Sequence, residues 1–444
     1  MKSKRLLWIL FYIFAAILPS TFYVTTSINS NSDSLLILSG IFGITAYVLF
    51  AFQFLLTSRT KIIDRLFGMD RIYRFHMIIA VLAIIFAFTH KMLKEIYFSE
   101  SFQTSLGDAA FIIFISISVF SILMMINKLF FKFKPADYIR SLLNKMLNLK
   151  YQYKVLIHNI TLIGLIVLLV HILLAYSVSS NIYLETILII YFVVPFALYF
   201  NHKIIKVYFN KNKKYTVSEV INNSNNIVTL KFKPSQGKVF NYLPGQFLYV
   251  RIYNLEVPRD EHPFTISSDP SEQDFVSITV KQLGDFTNKL SKVKVGDSAY
   301  IDGAFGSFSY LKRPENKKIC FIAGGIGITP FLAMLRHMNS TDNSKKVVLL
   351  WGARDLSEVI CKDELDDYTS KFKDFKFVPI LSNDNTYTGE KGYIDTNIIK
   401  KYLEDVLEYD FYICGPPIMM DIQIKNLNSL GVPKENIHFE RFAI

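Results

Sequence analysis

Cysteine is scarce in this chain, with three among 444 residues, at 320, 361 and 414. That is too few for a disulfide framework, and no CxxCH run is present to attach a c-type haem covalently. A calcium loop is missing too, because DNTYTG (384–389) has Thr386 and Thr388 where such a loop wants Asp or Asn. No internal repeat and no low-complexity tract stands out. Acidic charge is in deficit, with 49 Lys and Arg against 37 Asp and Glu, a net +12. Such an excess goes with nucleic acid or with a membrane. Long apolar runs are lacking, but only after residue 209.

Before residue 209 they dominate. Apolar residues make up 51% of the chain and aromatics 15%, and the mean hydropathy is +0.29. That excludes a disordered chain and argues against a wholly soluble one. Six runs are expected to be spans, at 6–27, 34–56, 73–93, 109–131, 155–178 and 184–207. Each is near the ~20 residues that cross ~30 Å of hydrocarbon. Met1–Arg5 and the first run read as a retained helix rather than a cleaved signal, since five more spans follow.

Loop charge sets the expected orientation. Lys2, Lys4 and Arg5, then Arg59, Lys61, Arg65, Arg71 and Arg74, then Lys132, Lys134, Arg140, Lys145, Lys150 and Lys154 all fall on one side. The other side has Lys91 and Lys94 among Glu95, Glu100, Asp108 and Glu185. Both termini are therefore expected in the cytoplasm, in a multi-pass protein of the cell membrane. The lipid bilayer accounts for the basic excess, and nothing remains that asks for nucleic acid. No obligate protein partner is evident.

Four of the eight histidines lie inside spans: His76 and His90 on the third, His158 and His171 on the fifth. Ionisable groups at membrane depth are functional candidates by default. By the expected topology His76 and His158 lie near the inner face and His90 and His171 near the outer face. Neutral imidazole pairs suit two six-coordinate haems stacked across the bilayer. His76 and His90 are 14 residues apart and share a helical face. His158 and His171 are 13 apart, which leaves them ~140° apart on an ideal helix. Either the haems are approached from different sides, or the fifth span is irregular, with Gly164 the candidate break. Zinc is the weaker alternative, because no Cys or carboxylate clusters with these residues. His202 is expected at the interface, and His337 and His438 as ordinary domain residues.

The second half changes character. Short strands are expected at 215–221, 227–233, 247–250, 262–267, 275–280 and 298–301, a small antiparallel barrel. From 318 strand and helix alternate, with strands at 318–323, 347–351, 376–382 and 411–414. That predicts a parallel sheet with nucleotide at the carboxyl ends of its strands. GGIGITP (324–330) follows the first of these strands and opens a helix, as a pyrophosphate-binding loop does, with Pro330 in place of the final Gly of GxGxxG.

HPFTISS (262–268), GGIGITP, CGPP (414–417) and FERF (439–442), behind six apolar runs with two His pairs, resemble the NADPH oxidase and ferric reductase transmembrane family. The resemblance covers nearly the whole chain, and the His spacings are nearer the oxidase branch than the metalloreductase branch. It implies a multidomain membrane protein: a six-helix haem bundle (1–209), an antiparallel β-barrel FAD domain (210–312) and an α/β parallel-sheet NAD(P)H domain (313–444). It implies FAD, two haem b and NADPH, or NADH, as cofactors, with His76, His90, His158 and His171 as the metal ligands.

The resemblance also assigns residues. Phe264 packs on the flavin and the Thr265 hydroxyl lies near flavin N5, within a stretch of cofactor contacts comprising His262, Pro263, Ser267 and Ser268. His262 stands where related reductases often carry Arg. Gly284, Phe286 and Thr287 surround the FAD pyrophosphate, and Lys281 adds charge. PGQF (244–247) and DGAFG (302–306) are framework turns. Gly325, Gly327, Thr329 and Pro330 face the dinucleotide, and Arg354 meets a 2′-phosphate. Cys414, with Gly415 and Pro416, approaches nicotinamide C4, and Phe442 stacks on the flavin. Thr265, Cys414 and Phe442 are the catalytic set.

The function implied is electron transfer from cytosolic NADPH through FAD and both haems to oxygen outside, giving superoxide. An extracellular ferric or cupric reductase is the alternative. A haem-binding membrane sensor or channel is a third reading, weakened because the fourth span has no Arg in its core, which a voltage sensor would need.

Overall fold

The computed structural model describes residues 2–440 apart from 30–32, 61–62, 65–68, 98–99, 125–137, 139–141, 144, 146–150, 206–212, 225, 314, 316, 317, 343 and 385, and apart from the side chains of 2–5, 69, 70, 151 and 152. Lys61, Arg65, Lys132, Lys134, Arg140, Lys150, the end of the fourth expected span and Phe442 lie outside the described residues. The chain forms two compact units, divided near residue 208.

The first unit is helical. α1 (Lys2–Asn29), α2 (Ser34–Thr57), α3 (Met69–Glu95) and α4 (Phe102–Met124) are followed by α5 (Tyr151–His158), α6 (Thr161–Leu173), the short α7 (Tyr176–Ser179) and α8 (Ile182–Phe200). Among the described residues six segments are long and apolar enough to cross a membrane: Leu6–Ile28, Ser34–Thr57, Arg71–Glu95, Phe102–Met124, Tyr153–Leu173 and Ile182–Ile205. The fourth begins at Phe102, seven residues earlier than expected.

α2 is the central helix. Residues 44–52 of α2 are buried without a break, and they reach α8, α4 and α1. Tyr47 donates to the Leu188 carbonyl of α8 at 2.8 Å, Phe50 stacks on Phe114 of α4 at 3.8 Å, and Ser20 of α1 bonds Thr45 at 3.1 Å. Outward faces are apolar: Leu7, Phe14, Ile78, Ile112 and Ile163 are all exposed. Such a surface is costly in water.

The fifth span is interrupted, but not at Gly164. α5 ends at His158 and α6 begins at Thr161. Here Ile160 N–H bonds the Ile157 carbonyl and Leu162 N–H the Asn159 carbonyl, i→i−3 contacts. Each residue in such a tightened turn adds ~20° of rotation over α geometry. That overwinding swings His158 toward the face of His171. Gly164 stays helical and serves close packing instead, since a β-carbon there would meet Ile113 of α4 at 3.0 Å.

The second unit holds two sheets. The first contains β1 (Lys214–Ser224), β2 (Ile227–Pro234), β3 (Phe247–Tyr253), β4 (His262–Thr265), β5 (Val276–Lys281) and β6 (Ser298–Phe305) in the order β4-β3-β6-β1-β2-β5. Its strand pairs are antiparallel, and a bridge between Ile266 and Ile278 brings its two edges together into a barrel. Leu230, Phe232, Leu248, Val250, Ile278 and Ile301 fill it.

The second sheet is parallel, with β7 (Lys318–Gly324), β8 (Lys346–Ala353), β9 (Asp374–Leu381), β10 (Glu390–Lys391), β11 (Asp410–Cys414) and β12 (Ile437–Phe439) in the order β10-β9-β8-β7-β11-β12. Helices α9 (Thr329–Thr341), α10 (Lys362–Lys371), α11 (Thr396–Tyr402) and α12 (Pro417–Ser429) connect its strands. β7 and β8 read as continuous apolar runs because helices cover both faces. The order reverses between β7 and its neighbours, so a crevice opens at the carboxyl ends of β7 and β11, where ligands bind in such sheets.

Candidate functional site

Two imidazole pairs face each other across the helical unit. The ring centres of His76 and His158 are 6.1 Å apart, and those of His90 and His171 are 6.3 Å apart. An imidazole nitrogen sits ~2.0 Å from a first-row metal, and adding ~1.2 Å from nitrogen to ring centre on each side gives ~6.4 Å across a shared ion. Both pairs match that spacing.

The Nδ1 atoms of three of these rings are engaged elsewhere, which leaves Nε2 for the gap. His90 Nδ1 donates to the Ser39 carbonyl at 2.8 Å and His171 Nδ1 to the Gln103 carbonyl at 2.7 Å. His158 Nδ1 bonds Ser121 Oγ at 2.9 Å. His76 Nδ1 is buried with no hydrogen-bond partner among the described residues. Carbonyl partners fix the tautomer and orient a metal-binding ring. No group of three His, Cys, Asp or Glu gathers among the described residues, so the donor set does not fit zinc, which takes three or four protein ligands. It fits an ion whose other positions are filled by a planar ligand.

His202 lies at the end of the sixth apolar segment, Ile182–Ile205. It lies on a π-helical turn, Asn201–Ile205, and is buried. His337 bonds Tyr310 and His438 bonds Asp410, as ordinary domain residues do.

In the barrel β4 carries the flavin candidates. Its register against β3 pairs Phe247 with Thr265, Leu248 with Phe264, Tyr249 with Pro263 and Val250 with His262. Alternation sets His262 and Phe264 on one face and Pro263 and Thr265 on the other. His262 lies against Phe286, 3.9 Å between ring centres, and Phe264 stacks on the same ring at 6.1 Å. Burial lowers the His262 pKa, partly offset by Asp260 and Glu261. Gly284 and Thr287 meet in one turn, where Thr287 Oγ1 accepts from the N–H groups of Leu283 at 3.0 Å and Gly284 at 2.9 Å.

Three expected contacts take other roles. Ser267 and Ser268 are buried, and their hydroxyls bond Ser277 at 2.9 Å and Tyr242 at 2.8 Å. They knit the barrel seam, with no surface left for a ligand. Lys281 does not bring free charge to the site, because its ammonium pairs with Glu358 at 2.6 Å and both side chains are about nine-tenths buried.

The glycine loop follows β7 as a 3₁₀ turn, Gly325–Ile328, that runs into α9. Gly325 has φ +52° with open space beside it, and Trp351 Nε1 donates to its carbonyl at 2.9 Å. Gly327 lies beneath β11, where a β-carbon would run into the Cys414 carbonyl. Gly327, Thr329 and Pro330 are buried rather than facing a ligand. The Thr329 hydroxyl donates to the Ile326 carbonyl at 3.1 Å, and Pro330 starts the helix with its ring packed inward. The accessible part of the loop is Gly325–Ile326.

Cys414 ends β11, buried, with its thiol pushed up to about 12 by burial and then by the nearby Glu440 carboxylate. It is a neutral thiol at pH 7, neither thiolate nor nucleophile. Gly415 is half-buried and Pro416 exposed at the crevice. Arg354 is exposed just past β8, where its carbonyl accepts from Asn383 N–H at 2.8 Å. The expected residues thus fall into three places: the imidazole pairs, the β4 face with Phe286, and the crevice edge of Gly325, Arg354 and Cys414.

Sequence reasoning passed over Glu440, Glu358, Arg336 and Tyr393. Glu440 is buried against Gly306, whose β-carbon would fall 2.9 Å from the carboxylate. Its only signal was membership of FERF. Tyr393 is an exposed aromatic just past β10, at the ligand end of the sheet.

The family matches fall on this second unit. Residues 209–319 match an FAD-binding domain and residues 321–425 an oxidoreductase NAD-binding domain. The reductase component of propane 2-monooxygenase from Mycolicibacterium smegmatis is 32% identical over 228 residues, 49% of this chain and 64% of that one. The glycine betaine monooxygenase reductase subunit of Chromohalobacter salexigens is 27% identical over 252 residues, 55% of this chain and 68% of that one. The chain spans just under two thirds of the first relative's length. Among solved structures, the FAD/NAD-binding domain of nitric oxide dioxygenase from Vibrio cholerae O1 biovar El Tor matches 52% of this chain and 98% of its own, at 24% identity and a TM-score of 0.47. The second unit is a ferredoxin-reductase-like module, an oxidoreductase that moves electrons between a nicotinamide nucleotide and FAD.

Proposed function

We propose that the chain is a transmembrane NAD(P)H oxidase, a flavocytochrome b that moves electrons from cytosolic NADPH through FAD and two b-type haems to oxygen outside, giving superoxide. The observation that carries this reading is the pair of facing imidazoles at two levels of one bundle, 6.1 and 6.3 Å between ring centres. A reductase module alone needs no such pairs. On this reading His76 and His158 hold the inner haem and His90 and His171 the outer one. The apolar outer faces of the helices meet lipid, and both termini are cytoplasmic.

When bound, the flavin divides a two-electron hydride into single electrons and the haems relay them. The chain supplies the positions. Thr265 lies at the flavin edge, and Phe264 with Phe286 makes an aromatic wall. Gly325 and Ile326 let a pyrophosphate approach the opening of α9. Cys414 and Glu440 line the nicotinamide end, the thiol as a small neutral surface. Arg354 reads the 2′-phosphate of NADPH. The parts are 1–209 for haem, 210–312 for FAD and 313–444 for NAD(P)H.

The test is the absorption spectrum of the purified full chain. It should contain bound flavin and, on reduction by NADPH, b-type bands from two haems per chain. Single replacements of His76, His90, His158 and His171 by Ala should each remove one haem and leave FAD in place. Full haem content in all four variants would end the reading. An extracellular ferric or cupric reductase is the rival that shares the same electron path.

A further inference from the structure

The flavin strand and the dinucleotide helix are joined by one guanidinium. Arg336 lies on α9, two turns past Thr329. Its Nη1 donates to the Ser267 carbonyl at 2.5 Å, two residues beyond Thr265. Its Nε and Nη2 form a bidentate pair with Glu364 of α10, at 2.7 and 2.6 Å. Tyr368 donates to the same carboxylate at 2.7 Å.

The Ser267 end is rigid. Its N–H bonds the Ser277 carbonyl at 2.9 Å, and its hydroxyl bonds Ser277 at 2.9 Å and Thr279 at 3.0 Å. The Arg336 end is fixed by a planar fork that matches a carboxylate in one geometry. A second tie, Lys281 to Glu358, joins the same two layers, so loss of Arg336 loosens the register without releasing the domains.

We infer that Arg336 is a positioning residue for hydride transfer, setting the dinucleotide helix in register with the flavin strand through the Ser267 carbonyl. The inference rests on the flavin and nicotinamide reading of this module. In the step concerned, the C4–H bond of the dihydronicotinamide breaks with its electron pair and an N–H bond forms at flavin N5. The nucleotide is left oxidised and the flavin two-electron reduced. Such transfers need reacting atoms ~3–3.5 Å apart, and a 1 Å misplacement costs roughly a hundredfold. The Arg336 guanidinium is committed to Glu364 and the Ser267 carbonyl, so the expected effect is on rate rather than on affinity.

The experiment is anaerobic stopped-flow bleaching of the flavin in the full-length protein, comparing wild type with Arg336→Met and Arg336→Lys. Arg336→Met should lower the limiting reduction rate roughly ten- to a hundredfold, with FAD per chain and nucleotide dissociation constant unchanged. Arg336→Lys keeps the charge but not the fork and should recover part of that rate. If Arg336→Met fails to accumulate, Arg336→Lys decides: full FAD with a lowered limiting rate supports the inference. Wild-type limiting rates, or a loss that follows FAD content or nucleotide affinity, would overturn it. No bleaching of wild type by NADPH or NADH would instead sink the flavin and nicotinamide reading on which it rests.

Discussion

Gly43 of α2 stands directly behind the His90 ring: a β-carbon there would lie 2.8 Å from Nδ1 and 2.9 Å from Cε1. Gly107 of α4 does the same for His171, at 2.7 Å from Cε1. Each glycine lets a helix backbone back an imidazole at a distance no side chain allows. Each ring lies against that one helix, bonded through Nδ1 to the carbonyl one turn before the glycine.

Gly43→Ala or Gly107→Ala should therefore push its ring off the carbonyl and out of line with its partner. The expected result is loss of one haem per chain on the proposed reading, with FAD and the other haem retained. Pyridine haemochrome analysis of the purified variants checks it. Two haems in both alanine variants would show that the rings yield without consequence.

Lys281 and Glu358 are about nine-tenths buried and paired at 2.6 Å. Removing one partner strands the other charge out of water. Lys281→Met should destabilise the second unit by ~3–5 kcal/mol. Lys281→Met with Glu358→Leu should recover most of it, since apolar replacement of both members of a buried pair is often neutral or favourable. Thermal release of bound flavin from the full chain measures both. A single variant as stable as wild type would mean that solvent reaches the pair.

Arg354 tests the nucleotide reading. Only NADPH carries a 2′-phosphate, and a charge-assisted pair is worth ~1.5–3 kcal/mol. Arg354→Ala should weaken NADPH roughly ten- to a hundredfold while leaving NADH nearly unchanged. The ratio of the two Michaelis constants reads the effect. An equal effect on both nucleotides removes Arg354 from phosphate recognition.

The barrel strands were legible as short β-prone runs between turn residues, and the sheet that follows because β7 and β8 are unbroken apolar runs. The four histidines stood out as polar groups in apolar stretches. The break in the fifth span was not legible in its right place. His158–Thr161 contains neither Gly nor Pro, whereas the conspicuous Gly164 is held helical by Ile113 and Phe114. Strands β10 and β12, of two and three residues, are too short for any periodicity to register. The loop motif placed a glycine turn at the carboxyl end of β7 but not which side of it is accessible, so Thr329 and Pro330 were expected outward and are buried. Lys281 with Glu358 and Arg336 with Ser267 join residues 77 and 69 positions apart, a proximity that no local pattern encodes.

The charges on the outer side bear on the acceptor. A reductase for ferric or cupric ions must hold a cation near its outer haem before reducing it. On the side expected to face outward the carboxylates are Asp33, Glu95, Glu100, Asp108 and Glu185. Three of the five are already engaged, because Asp33 accepts from Leu35 N–H and the Tyr97 hydroxyl, and Lys91 bonds Asp108 at 2.6 Å and lies 3.5 Å from Glu95. That pairing also ties the end of α3 to the start of α4, beside His90 and Gly107, so the lysine braces the helices rather than standing free. No group of three metal donors occurs among the described residues. Oxygen is small, neutral and soluble in lipid, and it needs no charged site. NADPH oxidation by the purified chain in vesicles should therefore require oxygen and yield dismutase-sensitive reduction of cytochrome c. Asp108→Asn, which releases Lys91, should leave ferric chelate reduction as low as in wild type. If oxygen turnover is negligible while a ferric chelate supports rapid, saturable, dismutase-insensitive turnover, the metalloreductase reading takes its place.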